Sequence, residues 1–102
     1  MSVDYYANFG IGYEVQASDE IADTKELEGG LGEYLYEKDS SANSLTCGSY
    51  YSGKCSHYLV IRDPFKDGFD LTKAKSELDE EIKRLKLITI GKFGEVGGIL
   101  VS

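Results

Sequence analysis

Cys55 and His57 stand two residues apart, a spacing that sets both side chains on one face if the segment is a strand. A thiol beside an imidazole is the beginning of a nucleophile and base pair, and Cys47 across a hairpin would complete three-quarters of a zinc shell. The sequence stops short of both. It has no Cys-x-x-Cys pair, no second histidine and no fourth ligand at usable spacing, so packing and loop roles are expected for all three residues. Two cysteines are also too few for a secreted disulfide scaffold, and both are expected as thiols.

Two glycine-rich runs, Gly29-Gly30-Leu31-Gly32 and Gly91 to Gly98, have a composition that suits phosphate. Neither reads as a strand running into a helix N-terminus, so turns and bulges are the expectation. The carboxylates lack an EF-hand pattern, and no pair has flanking residues that would obviously bury it for acid–base work. No cofactor, metal or catalytic set is expected.

Charge placement is more informative than its total of −7 over 102 residues. Residues 1–40 hold ten acids against Lys25 and Lys38, whereas the remaining 62 residues hold eight acids and nine bases. The acidity is local. With a pI near 4.6 and no basic patch, direct nucleic-acid binding is not expected. Met1 to Tyr6 does not read as a secretory signal, and no run approaches the ~20 apolar residues of a membrane helix, so a cytoplasmic address is expected.

Eight tyrosines occur without a tryptophan, several as close neighbours: Tyr5 and Tyr6, Tyr34 and Tyr36, Tyr50 and Tyr51. Adjacent residues of a strand point to opposite faces, so one of Tyr5/Tyr6 and one of Tyr50/Tyr51 should turn from the core. Tyr6, Tyr34, Tyr36 and one of the later pair would then form an aromatic surface beside acidic side chains, of the kind that anchors protein interfaces.

The elements that must position these residues follow from periodicity. Val3, Tyr5, Ala7, Phe9, Ile11, Tyr13 and Val15 alternate over thirteen residues, the pattern of a strand with one buried face; Gly10 and Gly12 fall on the other, where a bend or bulge explains them better than a ligand contact. Residues 17–28 are acidic and read either as a short helix with Ser18 as N-cap or as a long loop. Leu31 to Glu37 alternates as a second strand, and 45–51 and 57–61 form a hairpin joined by residues 52–56. A helix is predicted from about Leu71 to Lys86, capped by Asp70, with Leu71, Ala74, Leu78, Ile82 and Leu85 as its core stripe. The acid-first pairs Asp79/Lys83 and Glu80/Arg84 read as a solvated face. Strands at 87–90 and 98–101, separated by a glycine turn around Gly94 to Gly98, would close the fold. The sum is one α+β domain: an antiparallel sheet of about four to six strands with one amphipathic helix packed on one face.

A small acidic domain with an aromatic surface and no catalytic set resembles, in type, the accessory proteins by which tailed phages and prophages inhibit host enzymes or defence systems. The resemblance rests on size, charge and compactness over the whole chain, and no motif carries residues across. What it implies is a host protein as partner, with Asp19, Glu20, Asp23, Glu26, Glu28, Glu33 and Glu37 occupying a basic nucleic-acid groove and Tyr6, Tyr34 and Tyr36 anchoring the contact. A small-molecule or nucleotide-binding module on the glycine and tyrosine surfaces is the alternative, and a Cys/His enzyme a second. A homodimer is compatible with either binding role.

Overall fold

In the computed structural model, which describes residues 5–22, 30–49, 54–64 and 66–101, the alternating run near the start is a 13-residue strand, β1 (Tyr5–Ala17). After it come α1 (Asp19–Ala22), α2 (Leu31–Glu37), β2 (Asn43–Ser49), β3 (Lys54–Val60), α3 (Leu71–Arg84) and β4 (Leu87–Val101). The strands take the order β1-β3-β2-β4 and close into a small barrel. All pairings are antiparallel except the closing seam, where Gly48 and Ser49 of β2 run parallel to Leu100 and Val101 of β4. The fold is α+β, and its sheet is mixed by virtue of that one seam.

Four strands close because glycine lets them cross at short range. A Cβ on Gly12 would sit 2.0 Å from the Leu59 carbonyl oxygen and 2.8 Å from the Val60 Cα. One on Gly97, held at φ 129°, would sit 2.0 Å from the Asn8 carbonyl oxygen. Both positions therefore exclude a side chain.

Gly97 thus serves close contact within a continuous strand, which corrects the expected turn at Gly94 to Gly98. The segment is one 15-residue strand lying along the whole of β1, from Tyr5 opposite Val101 to Ala17 opposite Leu87. Its irregularity lies earlier. Gly12 faces Gly94 but Glu14 faces Ile90, so Gly91, Lys92 and Phe93 bulge opposite Tyr13 alone, and Gly91 takes the kink at φ 80°.

Residues 31–37 form a helix, where the alternation predicts a strand. Leu31, Tyr34 and Leu35 recur at helical spacing, all three are buried, and that face docks on the sheet. Ser18 does open α1: its carbonyl accepts from the amides of Ile21 and Ala22, while its buried hydroxyl has no hydrogen-bond partner among the described residues. The rest of that acidic stretch, residues 23–29, lies outside the described residues.

Asp70 caps α3 as its position predicts, accepting from the amides of Thr72 at 3.0 Å and Lys73 at 3.2 Å. Leu78, Ile82 and, just past the helix, Leu85 are buried; Leu71, at the other end of the stripe, stands exposed. These residues meet Tyr13 and Val15 of β1, Leu59 of β3, Leu87 of β4, Ile21 of α1 and the apolar face of α2 in one core. The core thus covers only the C-terminal half of β1. Tyr5, Phe9 and Ile99, from the other half of the same ribbon face, remain 71%, 61% and 51% exposed.

Candidate functional site

The outer face of α2 is built from Glu33, Tyr36 and Glu37, spaced i, i+3 and i+4, and all three side chains are exposed. Tyr36 is 86% exposed, the highest value among the exposed large apolar side chains of the described residues. On the inner face, Tyr34 is 2% exposed and its hydroxyl donates to the Leu85 carbonyl at 2.7 Å. That corrects its assignment to a partner-binding surface. In a strand Tyr34 and Tyr36 would share a face; in a helix two residues turn through about 200°, which sends one inward and the other out.

Tyr6 is half exposed but stands apart from Tyr36. It lies opposite Leu100, which pairs with Gly48 near the end of β2, whereas Tyr36 lines a cavity with Asn43 and Ser44 at the start of that strand. At the rise of an extended strand the two ends of β2 are roughly 17–20 Å apart. The tyrosines do not form one surface. Tyr50 and Tyr51, like Asp23, Glu26 and Glu28, fall outside the described residues.

Asp19 and Glu20 are exposed on α1, and the Glu20 carboxylate meets Lys86 Nζ at 3.3 Å in a solvated pair of small energetic worth. Two acids from the second half of the chain have instead been drawn into the structure. Glu81 is 8% exposed and accepts from Arg84, from the Ser40 hydroxyl at 2.7 Å and from the Ser41 amide at 3.0 Å. Arg84 first, then these hydroxyl and amide donors, hold its carboxyl at about 2 against the desolvation that opposes them. Asp79 accepts from the Tyr13 hydroxyl at 2.7 Å and from Lys75 at 3.0 Å, and its pKa is lowered chiefly by that hydroxyl. The pairs Asp79/Lys83 and Glu80/Arg84 read from the sequence are replaced by Lys75–Asp79 and Glu81–Arg84. Both clusters tie α3 down: one to the turn before β2, the other to the β1–β4 bulge, where Phe93 meets the Tyr13 ring edge-on at 5.3 Å.

Sequence reasoning passed over Glu81, although a signal existed. On a helical projection it lies only about 20° outside the apolar stripe of α3. Such a carboxylate needs a partner once the stripe is covered.

The strand pairing separates the Cys/His set. Cys55 lies opposite Gly48 and His57 opposite Thr46, so these share one face, while Cys47 lies opposite Ser56 on the other. Both thiols are free, and Cys47 is buried with its pKa raised mainly by desolvation. His57 Nδ1 is 3.2 Å from Thr46 Oγ1 at the surface. Among the described residues no three His, Cys, Asp or Glu side chains gather as a metal site would require. The first glycine run does enter a helix, contrary to expectation, with Gly30 as the N-cap of α2; that helix is seven residues long and its cap brings no side-chain hydrogen bond.

No protein-family model, curated protein or solved structure matches the chain. What the site can do is therefore set by its own chemistry. Glu33 and Glu37 offer acceptors for lysine or arginine, and the Tyr36 ring between them offers a face for a guanidinium or a methylene stem. Among the described residues no helix is long and apolar enough to cross a membrane.

Proposed function

We propose that this chain is a non-catalytic protein-binding module that docks the outer face of α2 on a basic surface of another protein, in the manner of a phage-type inhibitor of a host nucleic-acid enzyme or defence system. The observation that carries the reading is Tyr36, 86% exposed between two exposed glutamates. A free tyrosine of that exposure gains most from burial at an interface, since it brings large contact area at low entropic cost. The glutamates add a field that speeds encounter with a cationic partner and weakens as salt rises. Asp19 and Glu20 on α1 extend the same sign of charge. The partner would be a host protein whose groove otherwise receives nucleic acid.

Affinity capture from a bacterial lysate tests this reading, with wild type and the Glu33→Gln/Tyr36→Ala/Glu37→Gln variant compared at low and high salt. Wild type should retain a nucleic-acid-handling protein at low salt and release it at high salt, and the variant should lose about 2 kcal/mol or more of affinity, roughly thirtyfold. Undiminished capture by the variant would sink the proposal.

A further inference from the structure

Lys75 pairs with Asp79, Arg84 with Glu81 and Lys86 with Glu20. Three cations that are not paired with a carboxylate among the described residues, Arg62, Lys66 and Lys73, line one cavity of about 360 Å³ between the segment after β3 and the first turns of α3. Lys66 and Lys73 form no ion pair among the described residues. Arg62 spends its guanidinium on neutral oxygens, the Asn43 side-chain carbonyl at 3.2 Å and the Ser40 backbone carbonyl at 3.4 Å.

The same wall carries carboxylates of two kinds. Asp70 is engaged by the amides of Thr72 and Lys73, so it also closes the helix end to any ligand that would use those donors. Asp63 and Glu77 make no ion pair among the described residues, and Phe69 contributes an aromatic side chain to the lining. Three cations suit a dianionic phosphate, with arginine as a fork and lysines as point charges. Free carboxylates beside them suit hydroxyl donors, which a bare inorganic anion lacks. The cavity volume falls in the range of small-molecule sites, and its mixture of charge and apolar wall is what a compact polar ligand requires.

We propose that this cavity binds a hydroxyl-bearing phosphate monoester, a sugar phosphate or a nucleoside monophosphate, with the phosphate on Arg62, Lys66 and Lys73 and the hydroxyls on Asp63 and Glu77. The site is separate from the α2 face and stands or falls without it. Calorimetric titration of the full chain with ribose 5-phosphate, AMP, inorganic phosphate and adenosine tests the assignment. The two esters should bind at least tenfold more tightly than inorganic phosphate or adenosine. Equal affinity for both esters would place only the sugar phosphate in the cavity, and tighter AMP binding would add the base against Phe69.

Lys66→Gln and Lys73→Gln, both at exposed positions, should each weaken the esters about tenfold, while the Glu33/Tyr36/Glu37 variant should bind them as wild type does. Amide shifts on AMP addition should centre on Ser41, Arg62, Gly68 and Ala74 in the unaltered chain, a readout that needs no variant to fold. No binding of either ester at millimolar concentration, or shifts centred elsewhere, would overturn the proposal. So would inorganic phosphate binding as tightly as the esters.

Discussion

The two halves of the β1–β4 ribbon share one alternation and meet different fates. At Tyr13 and Val15 the odd-numbered side chains of β1 are 9% and 4% exposed beneath the helices; at Tyr5 and Phe9 the same register leaves them 71% and 61% exposed. Period two decides which residues share a face. What lies on that face is decided by where the rest of the chain can reach, and here α1, α2 and α3 reach only the half next to the bulge.

The sharpest way to probe the contrast is a pair of glycines that face each other across the ribbon, Gly12 and Gly94. Gly12→Ala would drive a methyl into backbone atoms of β3 and should cost about 3 kcal/mol or more, whereas Gly94, with nothing within 4 Å of its would-be Cβ, should tolerate alanine to within about 0.5 kcal/mol. Urea unfolding of the two variants measures this, and equal losses would mean that the crossing at Gly12 is not what closes the barrel.

Next in size is the lock that holds the helical cover in place. Glu81→Gln should cost about 2–3 kcal/mol, because it weakens charge-assisted bonds to Arg84, Ser40 and Ser41 in a buried setting. Since the folded carboxyl titrates near 2 rather than at its ordinary 4.5, its contribution is fully present above about pH 5 and is lost as pH falls towards 2. Asp79, also lowered, adds to the same acid limb. The variant should therefore lose less stability than wild type between pH 5 and pH 2; parallel acid limbs would remove Glu81 from that role.

The smallest effect belongs to the open half. Tyr5→Thr replaces one strand-favouring residue, an aromatic, with another, a β-branched one, at an exposed position and should move stability by no more than about 0.5 kcal/mol in the same urea assay. A loss comparable to that of a core truncation would show that this half is covered in solution after all.

Elements whose local pattern and tertiary role agree were legible in the sequence: β1 from its alternation, β2 and β3 as a strand pair, although residues 54–56, expected in the loop between them, belong to β3, and α3 from its stripe and its Asp70 cap. The failures share a cause. Leu-Gly-Glu-Tyr-Leu-Tyr-Glu at 31–37 fits both periods, since it alternates and also places Leu31, Tyr34 and Leu35 at helical spacing. Only the presence of a core to receive those three decides for the helix. Gly97 reads as turn chemistry until the Asn8 carbonyl beneath it is known. Of the candidate site, Glu33, Tyr36 and Glu37 are each candidates from the sequence, but the alternation sets Tyr36 beside Tyr34 and opposite the two glutamates, and only the helix gathers the three; Glu81 is hidden because Ser40 and Ser41 lie about forty residues away along the chain.

The pairing of β1 with β4 also sets the order in which the molecule can assemble. Residues 5–17 have no partner along one entire edge until residues 87–101 have left the ribosome, so the ribbon forms by closing a loop that contains every other element. The β2–β3 hairpin and α3 rest on local contacts and can form earlier, leaving the barrel to be completed last by the two strands most distant in sequence.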